Sequence, residues 1–209
     1  MNDDLTIVPF LLDDEDENSF CMLVSESEPY TDLNTLLKDL HTAKGSGFIW
    51  TLKEIASHYE FKPLPSESNI FVVGGETAED YDNLLNAARK AVEHGYRVFV
   101  LPNPKGIRTA DFIFERKGVY KMFDLKTIVG KSSVSNRLLE SIGQTNRVLL
   151  NMAGNYNTRS LACEIKHYFE INENAIEVLV FKGRKRIAIS RFLVKNPSYF
   201  RIFKNKYER

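Results

Sequence analysis

The chain has 209 residues, 43% of them hydrophobic, with 28 basic and 28 acidic side chains. That length implies one domain plus an extension, and no run approaches the roughly eighteen apolar residues a membrane-spanning helix needs. Cys21 and Cys163, with His41, His58, His94 and His167, show no ligand spacing, which argues against a zinc site and leaves two buried or incidental thiols in a reducing compartment. The start, Met1-Asn2-Asp3-Asp4, lacks the basic-then-apolar pattern of a signal peptide. The net charge of zero conceals a division: residues 1–68 carry 14 acids and 4 bases, and the remainder 14 acids and 24 bases. Residues 182–209 hold 10 bases against one acid, Glu208. Such asymmetry implies a polyanion partner for the basic part. A solvated basic tail is the plainer alternative.

In chain order, residues 1–30 mix short apolar pieces with the acidic run Asp13-Asp14-Glu15-Asp16-Glu17, an edge strand followed by a loop. Residues 32–40 read as a helix, with Leu33, Leu36, Leu37 and Leu40 on one face, and 51–59 as a second. Lys62-Pro63-Leu64-Pro65-Ser66 reads as a linker, because two prolines restrict the backbone. The expected division is therefore an acidic extension with short helices over 1–68 and a regular domain with a basic C-terminal segment over 69–209.

That second part opens with a strand at 70–73. A helix follows, capped by Thr77 with Asp80 reaching back, and carries Leu84, Leu85, Ala88 and Ala91 on one face. Gly95 stops it. Strands follow at 97–101, 110–115 and 119–126, the last two turned at Lys117-Gly118. A helix at 134–142, a strand at 147–151, a helix at 158–169 and strands at 175–181 and 186–190 complete the pattern. Helices alternating with strands imply an α/β fold with helices on both faces of a mixed sheet, built on a four-stranded core. Phe200, Phe203 and Tyr207 recur at helical spacing and read as a packed helix face in preference to base-stacking groups. Arg184, Lys185, Arg186 and Arg191, and the loop Lys131 to Ser135, are candidate phosphate contacts, with a solvated surface as the alternative.

Asp111 on one expected strand and Asp124-Leu125-Lys126 on the next form the chain's most informative pairing. Two carboxylates at strand ends can hold a hard divalent cation through oxygen. Lys126 shares a strand face with Asp124, since side chains alternate with period two. A cation beside an ammonium group suits activation of water and stabilisation of charge on a phosphodiester.

Helix, three-strand meander, helix, strand, with Asp111 on the second strand and Asp124-x-Lys126 on the third, resembles the PD-(D/E)XK nuclease superfamily and its restriction-endonuclease-like core over roughly residues 70–150. The ordered set Glu93-His94-Gly95-Tyr96-Arg97-Val98, Leu101-Pro102, Ala110-Asp111, Asp124, Lys126 and Gly143-Gln144-Thr145-Asn146-Arg147-Val148-Leu149-Leu150-Asn151 is similar to the C-terminal tRNase domain of contact-dependent growth inhibition (CdiA-type) toxins. The resemblance does not reach residues 1–65. It implies a metal-dependent endonuclease, RNA favoured over DNA and tRNA the leading substrate, acting in the cytoplasm after delivery or as part of a mobile element. Mg²⁺ or Mn²⁺ would be bound by Asp111 and Asp124, with a helix acid (Asp80, or failing it Asp82 or Glu76) completing the set. Lys126 would position or deprotonate the attacking water or steady the developing charge, and Gln144 would orient water or phosphate or merely close a helix. A cognate immunity protein is a further implied partner. The alternatives are a non-catalytic nucleic-acid-binding protein on the same fold and a DNA-processing endonuclease.

Overall fold

The computed structural model describes residues 31–74, 80–102, 109–130 and 134–209. In chain order its elements are α1 (Leu33–Thr42), α2 (Ser46–Ser57), β1 (Phe61–Leu64), β2 (Glu67–Val73), α3 (Tyr81–Glu93), β3 (Arg97–Val100), β4 (Phe112–Arg116) and β5 (Val119–Ile128). Then come α4 (Val134–Glu140), β6 (Arg147–Met152), α5 (Thr158–Ile171), β7 (Glu177–Lys182), β8 (Lys185–Ser190), α6 (Arg191–Lys195) and α7 (Tyr199–Glu208). The strands lie side by side in chain order in one mixed sheet. Pairs β2–β3, β5–β6 and β6–β7 are parallel, each joined through a helix, and the other neighbours are antiparallel. The class is α/β, as expected, but the sheet is wider than four strands: β1 and β2 extend it on one side, β7 and β8 on the other.

Local chemistry accounts for most of these elements. Asp32 caps α1 by accepting the Thr35 N–H at 3.3 Å, and the four leucines of its stripe are all buried. Small residues Ala87, Ala88 and Ala91 let α3 settle closely on the sheet. Lys117 and Gly118 both adopt positive φ, 53° and 79°, the conformation a two-residue hairpin turn demands. β7 is buried along nearly its whole length, as a strand inside a sheet covered on both faces should be.

Alternation sorts the strand side chains onto two faces. Val98, Val100, Phe112, Phe114, Phe123 and Leu149 pack beneath α3. The opposite face is shared by two helix groups. Phe99, Ile113 and Met122 pack with α1 and α2, whereas Val148, Leu150, Val178 and Val180 pack with α4, α5 and α7. β5 lies at the division, since Met122 belongs to the first group and Ile128 to the second. Burying each large apolar side chain contributes about 1.5–3 kcal/mol, so the two groups hold the ends of β5 from different sides.

Several expectations change. The stretch expected as a linker is β1 and its turn into β2; Pro63 is tolerated because β1 is an edge strand. The expected boundary between 68 and 69 falls inside β2, and α1 and α2 cover part of the sheet, so residues 31–68 share its core. The second helix begins earlier than expected, at Ser46. Thr77, expected to cap α3, and the acidic run of residues 13–17 lie outside the described residues. Of the expected packed face of α7, Phe203 and Tyr207 are fully buried against α5 together with Tyr199, whereas Phe200 is exposed. No helix among the described residues is long and apolar enough to cross a membrane.

Candidate metal centre

β4 and β5 form a hairpin in which Phe112 faces Phe123. One step further along, Asp111 faces Asp124. The pairing continues there through the backbone: the Asp111 N–H donates to the Phe123 carbonyl at 3.1 Å, and the Leu101 N–H donates to the Asp111 carbonyl at 2.9 Å. Because Phe123 and Leu125 point toward α3, Asp124 and Lys126 point to the opposite face, into the division between the two helix groups.

The structure brings Asp111, Asp124 and Lys126 together. Asp124 is 2% exposed. The Lys126 ammonium lies 3.0 Å from Asp124 Oδ2 and 3.3 Å from Oδ1, straddling the carboxylate. Asp111 Oδ2 accepts the Leu125 N–H at 2.5 Å, and the Asp111 carboxyl, when protonated, donates to Asp124. Burial pushes the Asp111 carboxyl up to about 7, and the Asp124 charge pushes the same way, against the smaller pull of the Leu125 N–H and the Lys126 ammonium. A buried and a half-buried carboxylate with one ammonium, paired to Asp124, carry a deficit of positive charge. A proton fills it in this arrangement, and a cation could fill it instead.

The other expected site residues are placed elsewhere. Asp80 stands at the N-cap of α3, makes no cap bond with its side chain and accepts from Asn83 Nδ2 at 3.2 Å. α3 covers the other face of the sheet, and among the described residues neither Asp80 nor Asp82 forms a metal-type group with Asp111 and Asp124. Glu76 lies outside the described residues. Among the described residues, no three His, Cys, Asp or Glu side chains converge as a metal cluster would. Gln144 turns its carboxamide back to donate to the Glu140 carbonyl at 3.0 Å, closing the end of α4. Of the loop at 131–135, residues 131–133 lie outside the description, and the Ser135 N–H donates to Glu164 at 2.9 Å.

Two polar groups near β5 escaped the sequence reading. Tyr168, buried on α5, receives the Asn172 amide at 3.0 Å and lies 3.4 Å from Ser141 Oγ. Burial raises its phenol above the usual range, its two hydrogen bonds oppose that, and the Asp124 charge adds to the rise, which puts Tyr168 within electrostatic reach of the pair. Nothing in the sequence distinguishes Tyr168 from its apolar neighbours. On the reverse face, Asn151 accepts from Lys90 at 2.6 Å and donates to Asn86 at 3.2 Å. Here a signal existed, because Asn151 interrupts the apolar run of β6. Comparison of the chain with protein-family models, with curated proteins and with solved structures finds no match.

Proposed function

We propose that the chain is a metal-dependent nuclease that hydrolyses phosphodiester bonds, with RNA, and tRNA in particular, the favoured substrate. The observation that carries the reading is the contact of two carboxyl groups from neighbouring strands with the Lys126 ammonium beside them. This donor set fits Mg²⁺ or Mn²⁺, which commonly take one or two carboxylates and fill their remaining positions with water and substrate oxygens. When bound, the cation would polarise the phosphoryl oxygens and lower the pKa of a coordinated water.

The chain's own residues have separable tasks. Asp111 and Asp124 supply the anionic oxygens, and the Leu125 N–H fixes the orientation of Asp111. Lys126, anchored on Asp124, holds a positive charge where negative charge develops on phosphorus-bound oxygen. The order α3, β3–β4–β5 meander, α4, β6 agrees with a restriction-endonuclease-like core, and the toxin-like motif order favours RNA. The absence of a third acid from the described residues favours one alternative, a protein that binds nucleic acid without cutting it.

Incubation with total tRNA, single-stranded DNA and plasmid in Mg²⁺, Mn²⁺ or EDTA separates these readings. Cleavage that needs metal and disappears in Asp124→Asn and Lys126→Met supports the nuclease, and the cleaved polymer identifies the substrate. Binding without cleavage in either metal would end it.

A further inference from the structure

A second set of like charges, gathered around one ring, lies on the α3 face, across the sheet from the carboxylates. Arg116 at the end of β4 and Arg186 on β8 both lay guanidinium groups over the ring of Tyr96, 5.6 and 5.4 Å from its centroid. His94, at the C-cap of α3, stacks on Phe181 at 5.4 Å. Burial lowers the His94 pKa first, then the Arg186 charge; Arg116 adds to this and Glu93 opposes it. The ring contacts are the whole of what Arg116 and Arg186 engage, so neither guanidinium meets a carboxylate among the described residues. The Nε of Arg186 is buried and donates to nothing. The terminal nitrogens of Arg186 are not sealed in this way, so an incoming anion can pair with the guanidinium through them.

The end of α3 does not account for this arrangement. Cations are favoured at a helix C-terminus, but the last carbonyls of α3 already accept backbone N–H groups: Ala91 from His94 and Tyr96, Val92 from Gly95. Arg191 shows the contrast. Its guanidinium donates to the carbonyls of Phe169, Asn172 and Ala175 and so closes the end of α5. An arginine committed to a helix end is hydrogen-bonded to it, and Arg116 and Arg186 are not.

We propose that Arg116 and Arg186, on the floor of Tyr96 with His94 beside them, bind phosphate groups of a nucleic-acid strand at a second contact on the face opposite the carboxylates. The proposal rests on the nuclease reading for its substrate. Guanidinium groups present paired donors that match phosphate oxygens, and a bound anion offsets the charge that each carries. A strand held here and cut at Asp111 and Asp124 must pass around the sheet. A short oligonucleotide cannot occupy both places, so the contact serves large folded substrates.

The test is anisotropy of a fluorescein-labelled tRNA with the full chain in EDTA, where binding is read without cutting. Unlabelled tRNA and single-stranded DNA compete in separate arms and distinguish the two sources of phosphate. Arg116→Gln/Arg186→Gln is expected to weaken binding about tenfold and to lower the slope of log affinity against log salt by about one to two. Lys38→Gln/Lys166→Gln removes the same charge from α1 and α5 and is expected to stay within about twofold of wild type. If the arginine pair fails to fold, Arg116→Gln alone carries the test, since that side chain is exposed. No binding by wild type, or equal binding by the arginine pair and the lysine pair, overturns the proposal. Asp124→Asn keeps the failures apart: it should bind tRNA as wild type does and lose cleavage, so a missing cleavage activity leaves the arginine result readable.

Discussion

The two faces of the sheet each crowd like charges, and they resolve the crowding differently. Between α2 and α4, two carboxyl groups meet, one of them paired with an ammonium, and hold a proton that an ordinary aspartic acid would have lost. On the α3 face, two guanidinium groups lie against one aromatic ring and keep their charge, because arginine does not release its proton. The first arrangement can wait for a cation in neutralised form. The second can be neutralised only by a ligand. That asymmetry makes the carboxylate pair pH-dependent and the arginine pair salt-dependent, and it separates their roles experimentally.

The strongest way to break the comparison is to remove one charge from the carboxylate–ammonium pair. Asp124→Asn and Lys126→Met should each reduce metal-dependent cleavage about a thousandfold, the scale for losing a preorganised group that stabilises transition-state charge. Rates under single-turnover conditions check this, alongside Arg116→Gln/Arg186→Gln, which should raise KM for tRNA and leave the rate on a short oligonucleotide unchanged. If the arginine pair slows short substrates as severely as the Lys126 variant does, the two faces are not functionally separate.

The next effect is on stability. Asp111 holds its proton up to about pH 7 in the fold, against an ordinary value of 3.8. The folded form therefore binds that proton more tightly than the unfolded chain does. The metal-free protein should lose stability as pH rises from about 4 through about 7 and change little above that from this group. Asp111→Asn keeps an oxygen for the Leu125 N–H and carries no charge, so it should flatten the slope and melt higher than wild type near pH 8 in EDTA. Mg²⁺ should raise the melting temperature of wild type at that pH and leave the variant nearly unmoved. Melting curves across that pH range, with and without Mg²⁺, check both statements. An equal Mg²⁺ response in the two proteins would count against Asp111 as a ligand.

Legibility in the sequence followed the range of the interaction. The β4–β5 hairpin was readable because Lys117-Gly118 supplies the turn, and period-two alternation then put Asp124 and Lys126 on one face. The strand-to-strand meeting of Asp111 and Asp124 follows from that turn. The stripe of α3 shows that one side of the helix is buried, but not which face of the sheet it covers, and that tertiary choice removes Asp80 from the site. Pro63 and Pro65 signal a broken backbone locally, whereas an edge position lets Pro63 remain in a strand. Arg186 and Tyr96 are far apart in sequence, and no local pattern joins them.

A smaller effect sharpens the division between faces. Asn151→Ala strips the Lys90 ammonium of its acceptor and leaves it half-buried. The expected loss is about 1–3 kcal/mol of stability, seen as a melting point lower by several degrees. Asn151 backs β6 on the α3 face, so cleavage per folded molecule should stay within about twofold. A large catalytic loss with normal melting would mean that the polar row on that face reaches the reacting groups through the sheet.

Gln144 is the most sensitive probe of how far the resemblance should be followed. Its carboxamide donates to the Glu140 carbonyl, and that bond is exposed. An exposed hydrogen bond closing a helix end contributes at most about 1 kcal/mol, so Gln144→Ala should barely shift the melting curve. If that bond is its only task, cleavage also changes less than about twofold. The side chain is free to leave a solvent-accessible carbonyl when a phosphate arrives, and a role in orienting water would then appear as a lower rate at saturating substrate with unchanged melting. The split between rate and stability in this one variant decides whether the turn after α4 belongs to the reaction or only to the fold.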